Sequence, residues 1–341
     1  MLRVVTEWID SRALAGNALG DPARRQTSVI LPPSYDDHPD RRYPVLLVLA
    51  PFSSTGWHLL SRSPLGEALD ERLERLYAQE DGMRECIVVL PDCFTALGGS
   101  QYVNSPVLGH HEDHLVQEVL PLVDRHYRTL PRRAVVGRSS GGFGAMWLAM
   151  NHPDLFCAVG CHAGDSAWRV TLIPELLKFC RCAQRHGGPR PLLDHLLALG
   201  KGPRSGELFD AMMILAYAAA YSPDAASPLG FALPICWESG ALDEEVFRRW
   251  LRYDPVEICQ EEPYRSALRR MQLIFLDAGT RDEYHLDLGM RQLAVRLRAI
   301  GARVLHEEFE GGHMGTTYRL DRSLPLLARV LAEGDPGPVQ G

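Results

Sequence analysis

Arg132-Arg133-Ala134-Val135-Val136-Gly137-Arg138-Ser139-Ser140-Gly141-Gly142-Phe143-Gly144-Ala145-Met146 is the stretch on which the reading of this chain turns. Ala134 to Val136 is a short apolar run of the kind a buried strand uses, and Phe143 to Met150 is compatible with a helix. Between them Gly137-Arg138-Ser139-Ser140-Gly141 fits a G-x-S-x-G pattern, in which a serine sits on a sharp strand-to-helix turn. Glycine is needed on both sides because the turn is tight and a Cβ would collide with neighbouring backbone. The following helix would direct its N-terminal amides toward negative charge developing beside Ser139. A Gly-rich connection between two elements is the plainer alternative, and the rest of the chain has to decide between them.

With 341 residues the chain is long enough for one large α/β domain with an insertion, or for two ordinary domains. Acidic residues outnumber basic ones by 43 to 36, a net charge of −7, and no basic stripe is present to attract a phosphate backbone. Nucleic acid is therefore not an expected partner. Glu7 and Asp10 interrupt the N-terminal stretch where a signal peptide needs an apolar core, and the longest apolar run, Ala211 to Tyr221, is too short to span a bilayer. The expectation is a cytoplasmic protein without a membrane partner. Its eight cysteines, among them Cys157, Cys161, Cys180 and Cys182, lack zinc-knuckle spacing and read as reduced, buried small side chains.

Outward from the serine turn, strand and helix patterns alternate. Arg3 to Ile9, Gln26 to Leu31, Val45 to Leu49 and Cys86 to Leu90 read as strands, with a helical pattern from Leu65 to Gln79. His110-His111-Glu112-Asp113-His114 resembles a metal cluster, yet the H-E-x-x-H pattern fails at Leu115, and an acidic helix N-terminus before the stripe Val119, Leu120, Val123 is the ordinary reading. Phe156 to Cys161 is the next strand. From Ser166 to about Arg265 only helical patterns appear, broken at Gly187 to Pro191 and Gly200 to Pro203. Leu273 to Leu276 and Arg303 to Phe309 restore the strand pattern, with helices expected at Leu286 to Ile300 and Leu320 to Ala332. The resulting division is a core of 1–165 and 266–333, a helical cap insertion at 166–265 and a flexible tail at 334–341.

Such alternation implies an α/β fold, a mainly parallel sheet whose reactive groups gather at the carboxyl ends of strands. The loop Asp277 to Glu283 leaves one strand and Glu310 to Gly315 leaves the next, so an acid and His313 follow Ser139 in the order serine, acid, histidine. Asp277 and Asp282 around that loop, and Asp287 on the next helix, are the candidate acids. His58, His162 and His285 read as loop or capping histidines. Arg138 and Glu283 flank the site and are either solvated or paired, with substrate or with one another.

These stretches, with Pro91-Asp92-Cys93-Phe94, Gly98-Gly99-Ser100-Gln101-Tyr102 and Phe309-Glu310-Gly311-Gly312-His313, resemble the putative-esterase branch of the α/β hydrolases, which includes enterochelin esterases, feruloyl esterases, S-formylglutathione hydrolases and mycolyltransferases. The resemblance runs from Tyr43 to Leu331. It implies an α/β-hydrolase fold, Ser139 as nucleophile, Asp282 as acid and His313 as base, with the amides of Phe52 and Ser140 as oxyanion hole. Ala50-Pro51 stands where relatives commonly have His-Gly or Asp-Gly before the oxyanion residue.

The function this implies is hydrolysis of small acyl or aryl carboxylic esters through an acyl-enzyme, with neither metal nor organic cofactor. An acyltransferase uses the same groups and gives the acyl chain to an alcohol, and a non-catalytic binding protein would retain only the scaffold. Trp57, Tyr102, Trp168 and Trp237 are the expected substrate-binding aromatics. The expected partner is a small-molecule ester, and a homodimer is left open.

Overall fold

The computed structural model describes residues 2–80 and 82–333, so the expected tail at 334–341 lies outside the described residues. Strands β1 (Arg3–Asp10), β2 (Arg24–Leu31), β3 (Tyr43–Leu49), β4 (Ile87–Pro91), β5 (Thr129–Arg138), β6 (Ala158–His162), β7 (Leu273–Gly279) and β8 (Val304–Phe309) form one sheet in the order β1-β2-β4-β3-β5-β6-β7-β8. β1 and β2 pair antiparallel, as do β2 and β4, and from β4 to β8 every pairing is parallel. The expected α/β-hydrolase fold is what the chain adopts.

The aliphatic runs form this sheet because both of its faces are covered, so successive side chains each find a core. Val45, Leu47 and Leu49 enter one cluster with Val89, Val135 and Val159, while Leu46 and Val48 enter the other with Val88, Ala134 and Val136. The second face is closed by α1 (Leu69–Ala78) and by the C-terminal helix Leu320–Glu333, through Leu73, Leu76, Leu324 and Leu327. Full burial of each such side chain stabilises by ~1.5–3 kcal/mol. α1 begins four residues later than the periodicity suggests. Leu65 is fully exposed, and the Glu71 carboxylate turns back to accept the Ala68 N–H at 2.9 Å, fixing the start.

On the first face, α2 (Ser140–Asn151) follows the serine directly and is buried from Ser140 to Met150. Between β6 and β7 the chain makes α3 (Ile173–Arg185), α4 (Pro189–Leu199), α5 (Gly206–Tyr221) and α6 (Glu244–Leu251) with short helical turns among them. From Ala211 to Tyr221 α5 is apolar all round, and these residues are buried. The core then resumes with β7, α7 (Leu286–Ala299), β8 and α8, the closing helix named above. Among the described residues no helix is long and apolar enough to cross a membrane.

Candidate active site

Ser139 stands between β5 and α2 with φ 56° and ψ −126°, a backbone conformation that ordinary side chains avoid. The strain is imposed by packing on both sides. A Cβ on Gly137 would lie 2.2 Å from the Gly141 carbonyl oxygen, and one on Gly141 would lie 2.3 Å from that of Leu49. The Ser139 N–H donates to the His162 carbonyl at the end of β6 (2.8 Å), which pins the turn to the sheet.

His313 Nε2 lies 3.1 Å from Ser139 Oγ, and its Nδ1 lies 2.8 Å from Asp282 Oδ2. Asp282 Oδ1 accepts the Tyr284 and Leu286 N–H groups (2.9 and 3.4 Å), so the carboxylate is held by its own loop while its other oxygen faces the imidazole. Both sides of the His313 peptide are held by charged groups. The Glu283 carboxylate accepts its N–H at 2.6 Å and the Arg138 guanidinium donates to its carbonyl at 2.8 Å. Arg138 and Glu283 thus grip the same residue instead of pairing with one another. Burial lowers the Arg138 pKa, opposed by the nearby Asp282 charge.

The alternative acids are engaged elsewhere. Asp277 Oδ1 lies 2.6 Å from His162 Nδ1, His162 Nε2 lies 2.7 Å from Ser323 Oγ, and Asp277 Oδ2 accepts from Arg319 Nε at 2.8 Å. This second Ser-His-Asp set is sealed in the interior. Asp287, in the first turn of α7, is 3.6 Å from Arg291. His58 sits in the exposed 3-10 turn Trp57–Leu60 near Ser54 Oγ (3.2 Å), and His285 precedes α7 as its N-cap at φ 60°. In the His110–His114 segment, His111 contacts the Leu108 carbonyl and His114 the Glu118 carboxylate, both buried.

Ser139 opens into a cavity of about 400 Å³ bounded by Phe52, Arg138, Asp165, Glu175, Arg204, Phe209, Met213, Tyr217, Tyr284 and His313 among others. Ser140 is the first residue of α2, so its N–H has no acceptor within the helix, and among the described residues the Phe52 N–H finds no backbone acceptor. The Phe52 ring packs edge-on against Phe209 and Tyr217. On the cavity floor Asp165 accepts from Gln101 Nε2 (3.0 Å) and Tyr217 O–H (2.8 Å), and burial pushes its carboxyl up while those two bonds oppose the rise. A second cavity of about 740 Å³ adjoins the first across Ser53, Arg204 and Phe209 and carries Trp57 on its wall.

Three of the expected substrate aromatics lie elsewhere. Tyr102 is buried, donates its O–H to the Ala50 carbonyl at 2.6 Å and packs on Gly144, supporting the Phe52 loop from behind. Trp168 is 0% exposed and stacks among Phe143 and Tyr221, and Trp237 packs beside Gly188, so neither lines either cavity. Large rings in a mostly apolar helical layer gain more by filling its core than by facing solvent. Of the charged wall residues, Asp165 follows a strand, Glu175 sits on a helical pattern and Arg204 follows the Gly200 to Pro203 break, and none carries a sequence signal of its own.

The family model described as Putative esterase matches residues 17–321. Among solved structures, a ferulic acid esterase shares this fold with a TM-score of 0.59 at 21% identity, covering 96% of this chain and 99% of that chain. An S-formylglutathione hydrolase from Agrobacterium tumefaciens gives 0.54 at 16% identity over 97% of this chain and 96% of that chain. FphF, a fluorophosphonate-binding serine hydrolase of Staphylococcus aureus, gives 0.55 at 13% over 96% and 98%. Dipeptidyl-peptidase 5 of Porphyromonas gingivalis is 28% identical over 156 residues, 42% of this chain, and the chain spans only 20% of the length of that curated relative. With the family model covering nearly the whole described chain, this protein belongs to the Putative esterase family and is an esterase on the α/β-hydrolase fold.

Proposed function

We propose that the protein hydrolyses small acyl or aryl carboxylic esters through an acyl-enzyme on Ser139. The reading is carried by the hydrogen-bonded series Ser139 Oγ, His313 and Asp282 at the mouth of a cavity. His313 Nε2 takes the Ser139 proton as Oγ attacks the ester carbonyl, and Asp282 keeps the Nδ1 proton in place, which leaves Nε2 free to accept. The carbonyl oxygen turns anionic between the N–H groups of Ser140 and Phe52. Each donor of this kind typically lowers the barrier by ~3 kcal/mol. His313 then protonates the leaving alcohol, and water repeats the sequence to release the acid.

The helices between β6 and β7 act as a cap in this proposal, because Thr171, Leu172, Glu175, Phe209, Met213 and Tyr217 all come from them and close the cavity above Ser139. A cavity of about 400 Å³ suits a short chain. Each methylene buried contributes ~0.8 kcal/mol, about a fourfold gain in kcat/KM, until the space is filled. The test is a series of p-nitrophenyl esters: kcat/KM should rise from acetate to butyrate and fall for long chains. A steady rise to palmitate would overturn the capped pocket, and no turnover of any ester would overturn the hydrolase reading.

A further inference from the structure

Glu175, on the first turn of α3, is 1% exposed and borders the same cavity as Ser139. Its Oε1 receives the Lys178 ammonium at 2.7 Å, but its Oε2 is buried and, among the described residues, has no hydrogen-bond partner. A buried carboxylate oxygen left unbonded costs the full desolvation of an ionic acceptor, so structures keep one where something else supplies the donor. Burial raises the Glu175 pKa and Lys178 opposes the rise.

The side of the cavity on which Glu175 stands follows from its neighbours. Lys178 Nζ lies 5.9 Å from the centre of the Tyr284 ring, and that ring packs nearly perpendicular to the His313 ring with centroids 5.0 Å apart. Glu175 therefore stands on the Tyr284 side of the cavity, the side from which that ring packs against His313. The group that receives a proton from His313 in the proposed reaction is the leaving alcohol, so the alcohol half of the ester lies toward this flank. Asp165, the other buried wall carboxylate, already accepts two hydrogen bonds from Gln101 and Tyr217 and has less need of a ligand.

We propose that Glu175 is a specificity residue that accepts a hydrogen bond from a donor, a hydroxyl or a protonated amine, on the alcohol half of the ester. The inference rests on the Ser139 esterase reading and adds to it a polar requirement that an apolar pocket would lack. A charge-assisted hydrogen bond in a dry site corresponds to a preference of roughly tenfold or more over an alcohol of equal shape without a donor.

The experiment compares four acetate esters that cannot rearrange internally: 4-methylphenyl, 4-(hydroxymethyl)phenyl, 4-(aminomethyl)phenyl and 4-(trimethylammoniomethyl)phenyl acetate. Each is assayed on the wild type, on Glu175→Ala and on the shape-conserving Glu175→Gln. The readout is the ratio of kcat/KM for each polar ester to that for the 4-methylphenyl ester, which cancels any general loss through misfolding. In the wild type one or both donor esters should be preferred roughly tenfold, the trimethylammonium ester should not, and both substitutions should bring the ratio down, to about one in Glu175→Ala. Which donor ester gains most identifies hydroxyl or amine. A ratio near one in the wild type, or a preference that survives both substitutions, overturns the assignment of Glu175. Failure of the underlying reading looks different: the 4-methylphenyl ester itself goes unhydrolysed, or Ser139→Ala hydrolyses it as fast as the wild type.

Discussion

Replacing Asp282 and Asp277 separately by asparagine separates the two buried carboxylates that leave or end β7. Asp282 Oδ1 already serves the Tyr284 and Leu286 amides, so the single oxygen of an asparagine is drawn there and its NH₂ is turned toward His313 Nδ1. Facing a donor, Nδ1 must give up its hydrogen. The proton then sits on Nε2, which can no longer accept from Ser139 Oγ 3.1 Å away. The wrong tautomer behind a catalytic histidine costs ~10⁴ in kcat, equivalent to about 5.5 kcal/mol of barrier. Stability should change little, since shape and loop hydrogen bonds are kept. Asp277→Asn acts on His162 and Arg319 instead, and weakening a buried ion pair costs stability, ~3–5 kcal/mol when a partner is lost outright. Its kcat per folded molecule should stay within about tenfold of the wild type. The assay is kcat on p-nitrophenyl butyrate alongside urea unfolding of each variant. A tenth of wild-type kcat in Asp282→Asn, or an Asp277→Asn protein that is folded and inactive to the same degree, would refute the assignment of the acid.

Ser139→Ala should abolish turnover by several orders of magnitude and prevent labelling by a fluorophosphonate, whereas Ser323→Ala, at a fully buried serine, should leave labelling intact; mass spectrometry of the labelled peptide distinguishes them. Gly144→Ala places a Cβ 2.4 Å from the Tyr102 ring, so despite alanine's better helix propensity it should lower stability by ~1–3 kcal/mol and reduce kcat by displacing the ring whose O–H holds the Ala50 carbonyl. Unchanged kcat with a raised melting temperature would show that the Tyr102 support is irrelevant. Asp254, which accepts the Ala167, Trp168 and Val256 N–H groups, has its pKa pushed up to about 6 by burial, opposed by those bonds. Because the folded form holds its proton to higher pH than the unfolded chain, the stability tied to this group is largest below pH 4 and declines as pH rises through 4 to 6, by about 3 kcal/mol. The unfolding free energy of wild type minus that of Asp254→Asn, measured across that window, should fall with pH, and a difference that rises would reverse the sign of the argument.

The parallel sheet is legible in the sequence because strands buried on both faces become unbroken aliphatic runs, as in Val45 to Leu49, and the serine turn because only glycine fits where Gly137 and Gly141 meet backbone. Choosing between Asp277 and Asp282 is beyond a single sequence. β7 runs on to Gly279, three residues past the end of its aliphatic run, so Asp277 belongs to the strand end and pairs sideways with His162, while Asp282 lies in the loop beyond. Pocket lining is the least legible part. Aromaticity marks Tyr102, Trp168 and Trp237 as large and apolar, a description that fits core and cavity equally. Glu175 and Lys178, three residues apart, look like an ordinary solvated helix pair until the burial of one of them is known.

The sealed set His162, Asp277 and Ser323 offers an internal control. It has the same three side-chain types as the proposed centre, with distances of 2.6 and 2.7 Å against 2.8 and 3.1 Å. By hydrogen-bond length alone it would be ranked above the set that faces the cavity. Yet it has no glycine-bounded turn, borders neither of the two cavities described above and is closed to an ester. Geometry searches that match only three residues would retrieve both constellations from this one chain. Any inventory of hydrolases built on such matches should therefore weigh open volume and free amide donors beside the serine as heavily as the spacing of the three groups.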